Sequence, residues 1–218
     1  MQKIKAVLFD MDGVLVNSEP VITEAAIRAL NEWNINAKPE DFHEFTGMGE
    51  DRFIGGVAEK YGVLYTLDMK RRTYEIYLTI VNDKIGRYPA AVPTLQALHN
   101  AGLRLVLASA ADRIKVDANL CAAGIDSSLF YAIISGDDVT NKKPAPDVYL
   151  LAAEKAGCPP ECCIVVEDAL SGLAAAHAAG MKCICVTTSF SDDIFRENNA
   201  DYICSDVGDI IKMIEITA

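Results

Sequence analysis

From Tyr88 onward, short apolar runs alternate with amphipathic stretches, the pattern of a parallel sheet covered by helices on both faces. The spacing predicts strands at Ala6–Phe9, Arg104–Ala108, Ala132–Ser135, Cys163–Val166, Cys183–Val186 and Tyr202–Cys204. Helices are expected over Thr94–Ala101, Ile114–Ala123, Asp147–Ala156, Gly172–Ala179 and Val207–Ile214. Gly102, Gly124, Gly157 and Gly180 each stand at or near a predicted helix end, where a residue just past the end commonly turns left-handed.

Between Ser18 and Arg87 the period changes. Ile22, Ala26, Ala29, Leu30 and Trp33 fall on one helical face, with Ser18 able to cap and Pro20 tolerated in the first turn. Second and third helices are expected over Asp51–Tyr61 and Leu67–Asn82. A structureless loop of this length is improbable, so the stretch reads as an inserted helical subdomain hinged at Pro20 and Tyr88-Pro89. The expected class is α/β: a doubly wound, Rossmann-like parallel sheet core (1–16 and 88–218) with an inserted α-helical cap domain (17–87).

Composition narrows the partners. The chain carries 20 Lys and Arg against 31 Asp and Glu, a net charge of −11, which argues against a nonspecific grip on nucleic-acid phosphates. Asp10 and Asp12 interrupt the N-terminal apolar run before a membrane span or signal region is complete, so a chain with no membrane contact, in the cytoplasm, is expected. The seven cysteines show no zinc-ligand spacing and read as reduced, mostly buried thiols. His43, His99 and His177 also sit at no ligand spacing. No obligate protein partner is evident.

The chemistry gathers where the predicted strands end. Asp10 and Asp12 follow the first, Ser109 the second, Glu167 and Asp168 the fourth, and Lys143 lies in the loop after the third. In open α/β sheets those ends share one edge, where ligands bind. Carboxylates converging there repel by about 4 kcal/mol per pair at about 4 Å for an effective dielectric of about 20. A divalent cation relieves that repulsion, and all-oxygen ligands suit Mg²⁺ together with a substrate phosphate. Ser109, the amide of Ala110 and the ammonium of Lys143 could hold phosphate oxygens. A carboxylate so neutralised can attack phosphorus, and Asp12 could carry the proton.

Four motifs in order, "DMDGV" (10–14), "LASA" (107–110), "KKPAPD" (142–147) and "VVEDALSG" (165–172), resemble those of the haloacid dehalogenase superfamily. The helical insertion resembles the cap of its β-phosphoglucomutase-like subgroup. That resemblance implies Asp10 as nucleophile and metal ligand, and Asp12 as general acid/base with its main-chain carbonyl on the metal. It implies Ser109, Ala110 and Lys143 on phosphate, and Asp168 as metal ligand, with Glu167 acting directly or through water. Lys142 stands where the family usually has Gly. The cap loop "TGMGEDRF" (46–53) would read the leaving group through Gly47, Met48, Gly49 and Glu50, and Arg113 is a second candidate for an anionic substrate.

The expected function is a Mg²⁺-dependent phosphatase acting on a small phosphorylated metabolite. One alternative is a sugar-phosphate mutase, whose members usually carry a His where Ile22 stands here. A second is a phospho-accepting signalling or interaction domain. Dehalogenation is disfavoured by the second aspartate, Asp12, which true dehalogenases of the superfamily lack.

Overall fold

The computed structural model describes residues 3–217, with side chains to residue 214. In chain order the elements are β1 (Ala6–Phe9), β2 (Val16–Asn17), α1 (Glu19–Asn31), α2 (Glu50–Lys60), α3 (Leu67–Lys84) and β3 (Gly86–Arg87). They continue with α4 (Ala91–Asn100), β4 (Arg104–Ala108), α5 (Arg113–Ala123), β5 (Ala132–Ile134), α6 (Asp147–Ala156) and β6 (Cys163–Glu167). The last are α7 (Leu170–Ala178), β7 (Lys182–Val186), α8 (Asp192–Glu197), β8 (Tyr202–Cys204) and α9 (Ile210–Thr217).

Six strands form one sheet in the order β5-β4-β1-β6-β7-β8, and every pairing in it is parallel. The alternation of side chains sorts the apolar residues onto two faces. Val7, Phe9, Leu105, Leu107, Ile164 and Val166 pack against α4, α5 and α9. Ala6, Leu8, Val106, Ala108, Val165 and Cys183 pack against α6, α7 and α8. β1 is buried at every residue, as a strand covered on both sides must be. The doubly wound α/β architecture follows from these two apolar layers.

α1, α2 and α3 share a third core of their own, built on residues such as Ala26, Leu30, Phe42, Ile54, Met69 and Tyr77. The two connections to this helical layer run side by side, because β2 and β3 pair antiparallel, Val16 with Arg87 and Asn17 with Gly86. A 3₁₀ segment over Pro39–Phe45 and the helix α8 lie where sequence periodicity gave no element, both being too short for a full amphipathic stripe. Val207 opens a 3₁₀ turn, so the last helix begins three residues later than its apolar pattern suggests. Among the described residues, no helix is long and apolar enough to cross a membrane. The seven cysteines are free, and all but Cys121 are buried.

Candidate active site

β1 stands between β4 and β6, and chain order reverses direction around it, so the carboxyl ends of these strands form the switch-point crevice of the sheet. The ladder carries the polar residues into it. Asp10 N–H donates to Val166 O at 2.9 Å and Ser109 N–H to Ile134 O at 3.0 Å, which fixes both residues just beyond their strands.

Asp10, Glu167 and Asp168 are buried, and a ligand atom from each lies within 4.8 Å of the others. Lys143, also buried, reaches from the β5–α6 connection and places Nζ 2.5 Å from Asp10 Oδ1 and 2.6 Å from Glu167 Oε1. Both Glu167 oxygens are engaged. Oε1 accepts from Lys143 and from the Tyr149 hydroxyl at 2.7 Å, and Oε2 accepts the amides of Asp168 at 2.9 Å and Ala169 at 3.1 Å. Asp168 Oδ2 accepts the hydroxyl of Ser189.

One ammonium among three buried carboxylates leaves the cluster short of positive charge. Burial pushes the Asp10 carboxyl up to about 7, Glu167 and Asp12 adding to the rise and Lys143 opposing it. Burial, then Glu167 and Asp10, push Asp168 well above the carboxylate range. Lys143 stays above the usual lysine range because Asp10 and Glu167 outweigh the cost of burying it. All-oxygen donors with excess negative charge fit a hard divalent cation.

Two glycines make the cluster possible. Gly13, at φ +77°, has Asp168 Oδ2 where a Cβ would lie, 1.8 Å away, and Gly172 has Glu167 Oε1 at the same separation. Gly172→Ala must therefore displace the carboxylate that Lys143 and Tyr149 hold. Expected is a loss of about 1–3 kcal/mol in stability, read by thermal melting, together with reduced activity.

Asp12 sits apart from the cluster. Its Oδ1 accepts from the Ser18 hydroxyl and from Asn119 Nδ2 at 3.1 Å, and its Oδ2 lies 2.8 Å from Lys115 Nζ. Lys115 is buried in α5 and also reaches Glu50 Oε1 at 3.1 Å, so one lysine joins Asp12 in the sheet domain to the helical layer. Lys115 is held well above the usual range: burial works against its charge, and Asp12 and Glu50 more than compensate. Lys115 and Asn119, one helical turn apart, face inward together. That spacing was the available signal in the sequence for residues its reading passed over.

A cavity of about 60 Å³ lies between the sheet and the helical layer, lined by Asp10, Asp12, Ser109, Ala110, Lys115 and Asp168 below and by Glu19, Ile22, Phe45, Phe53, Gly49 and Glu50 above. Gly47 is also at its wall, but Met48 is not among its lining residues. Gly47 and Gly49 have φ of +77° and +83°, and both lie against sheet-domain loops: a Cβ on Gly49 would come within 2.9 Å of Ala110 O. The loop is a close-packed contact as well as a turn. Arg113 stands exposed, paired with Asp117 at 2.9 Å, and does not line the cavity; Lys115, two residues on, occupies the inward position. Ser109 Oγ accepts the Ala111 amide at 3.1 Å, which leaves its hydroxyl proton free to donate.

Beside the cavity, Lys70 bridges Asp51 at 2.9 Å and Asp112 at 2.8 Å, and Lys142 reaches Asp112 at 2.7 Å. These ion pairs tie the helical layer to the sheet domain. Lys142 and Lys70 hold Asp112 below the usual carboxylate range although burial acts in the opposite sense.

A parallel α/β sheet with carboxylates, a lysine and a hydroxyl converging at its switch point suits phosphoryl transfer. The family model "haloacid dehalogenase-like hydrolase" matches residues 4–180, and the chain belongs to that family as an enzyme of its phosphatase kind. The "Phosphorylated carbohydrates phosphatase" of Thermotoga maritima is 30% identical over 183 residues, 82% of this chain and 83% of its own length. "Protein SUPPRESSOR OF QUENCHING 1, chloroplastic" of Arabidopsis thaliana is 44% identical over 216 residues, 95% of this chain, and the chain spans 20% of that protein's length. The crystal structure of CbbY from Rhodobacter sphaeroides in complex with phosphate superposes with a TM-score of 0.83 at 27% identity, covering 95% of this chain and 96% of that one.

Proposed function

We propose that the chain is a Mg²⁺-dependent phosphatase that hydrolyses a small phosphorylated metabolite through an aspartyl-phosphate on Asp10, with residues 17–87 as a cap over a core of 1–16 and 88–218. The observation that carries this reading is the buried grouping of Asp10 with Lys143, Glu167 and Asp168.

The Ser109 hydroxyl and the Ala110 amide bind the phosphoryl oxygens at the floor of the cavity, and Lys143, held against Asp10 behind that floor, is their third partner. Asp10 attacks phosphorus, forming the aspartyl-phosphate as the bond to the leaving oxygen breaks. Asp12, oriented by Ser18, Asn119 and Lys115, gives a proton to that oxygen and then takes one from the water that hydrolyses the intermediate. Mg²⁺, held by Asp10, Asp168 and the main-chain carbonyl of Asp12, would supply the positive charge that lets a carboxylate approach a phosphate dianion. Because both Glu167 oxygens are already taken by protein donors, its part is to position Lys143 and the Asp168 amide, and any contact with the metal runs through water. Ile22 forms apolar wall where a mutase of the resembling subgroup has a proton-handling His, which favours water as the acceptor.

A phosphate-release screen over a metabolite panel with Mg²⁺ tests this reading. Free phosphate is expected from hexose phosphates; conversion of a hexose 1-phosphate to the 6-phosphate without free phosphate would identify a mutase instead.

The metal's role also has a signature in stability. In the metal-free protein Asp10 titrates at about 7 when folded, against 3.8 ordinarily, so the folded state holds a proton the unfolded chain has given up. The resulting stability is complete below about pH 4 and is lost as pH rises through about 7, with Asp168 acting in the same direction. Bound by Asp10 and Asp168, Mg²⁺ would take the place of those protons. Its gain in melting temperature is expected to be larger at about pH 8 than at about pH 5; equal gains would place the ion elsewhere.

A further inference from the structure

The upper wall of the cavity sets a condition on the leaving group. Glu19, Glu50, Ile22, Phe45 and Phe53 stand there. Among the described lining residues Lys115 is the single cation, and it is shared between Asp12 at 2.8 Å and Glu50 at 3.1 Å. Glu19 accepts a hydrogen bond from Thr46 Oγ1 at 3.0 Å and forms no ion pair among the described residues. Cations on the surrounding elements are also paired: Lys70 to Asp51 and Asp112, Lys142 to Asp112, Arg52 to Glu59, and Arg113 to Asp117. A second anionic group on the substrate would meet two carboxylates and apolar side chains, and no free ammonium or guanidinium. Such a juxtaposition of like charges is how a site rejects a wrong partner.

The leaving group that fits is small and uncharged, and its hydroxyls can donate to the carboxylates of the wall.

We propose that the enzyme selects phosphate monoesters of small uncharged alcohols and excludes substrates that carry a second phosphate or a carboxylate. This selectivity rests on the phosphatase reading above. The test uses the full chain with Mg²⁺ on matched pairs: glycerol 3-phosphate against 3-phosphoglycerate, and a hexose 6-phosphate against the corresponding 1,6-bisphosphate. p-Nitrophenyl phosphate serves as the generic ester.

Expected is a kcat/KM at least about 100-fold higher for the uncharged member of each pair. Glu19→Gln, which keeps an acceptor for Thr46, is expected to narrow that ratio about tenfold. The proposal is overturned if the charged member is hydrolysed as fast, if the Gln variant leaves the ratio unchanged, or if the generic ester turns over while neither uncharged monoester does. Absence of turnover on the generic ester as well would instead strike at the phosphatase reading, and the selectivity would fall with it.

Discussion

Replacing Asp10 with Asn is expected to leave a folded protein that releases no measurable phosphate, with kcat lowered by at least about 10⁴-fold. The reason is local. An amide keeps the shape of the carboxylate and can still accept from Lys143, which lies 2.5 Å from Oδ1, so the packing around β1 has little cause to change. The amide oxygen is, however, a poor nucleophile, and none of the neighbouring groups stands in its place: Glu167 has both oxygens committed and Asp168 is bonded to Ser189. Circular dichroism and a melting curve close to the wild type, measured beside phosphate release, would separate loss of chemistry from loss of fold. Residual activity within about tenfold of wild type would remove Asp10 from the role assigned to it.

The second large effect is expected at Lys143, and there fold and chemistry should fail together. Lys143→Ala removes the ammonium that both Asp10 and Glu167 contact in a fully packed environment. Breaking a buried pair by deleting one partner costs about 3–5 kcal/mol, because the remaining charges stay buried without compensation. Melting temperature should drop markedly at neutral pH and partly recover in acid, where Asp10 takes up a proton. Activity should fall even in the fraction that stays folded, since the phosphoryl oxygens lose a positive partner. A melting temperature unchanged from wild type would show that Lys143 does not carry the charge balance of the cluster.

The strand-end residues were legible because each follows an apolar run that could only be an interior strand. Asp10, Ser109 and Glu167 gain their meaning from that position, and the parallel sheet then brings them to one edge. The third core under α1–α3 was legible for a similar reason, since Ile22, Ala26 and Leu30 recur at helical spacing.

Lys115 was not. In "DRIKVDANL" it reads as one charged residue among Asp112, Arg113 and Asp117, and its half-buried partner Asp12 is 103 positions away in sequence. Only the packing of α3 against α5, which brings Tyr77 to Asn119, turns that part of the helix inward. Arg113 drew attention instead because charge is visible in a sequence and burial is not. The loop from Thr46 to Phe53 hides a related feature: Gly47 and Gly49 lie at positive φ close to Ala169 and Ala110, a contact across the fold that no local spacing reveals. Short elements such as the β2–β3 pair left no periodic trace at all.

The most direct test of the account is to trap the covalent intermediate. The protein is mixed with Mg²⁺ and a substrate that the release screen has identified, quenched in acid during turnover and reduced with borohydride, which converts an aspartyl-phosphate to homoserine, and the peptide carrying "VLFDMDGV" is then sequenced by mass spectrometry. Homoserine at position 10, absent without substrate, is the result the account predicts. An unmodified Asp10 under full turnover, or modification at Asp12 or another residue in its place, would contradict it.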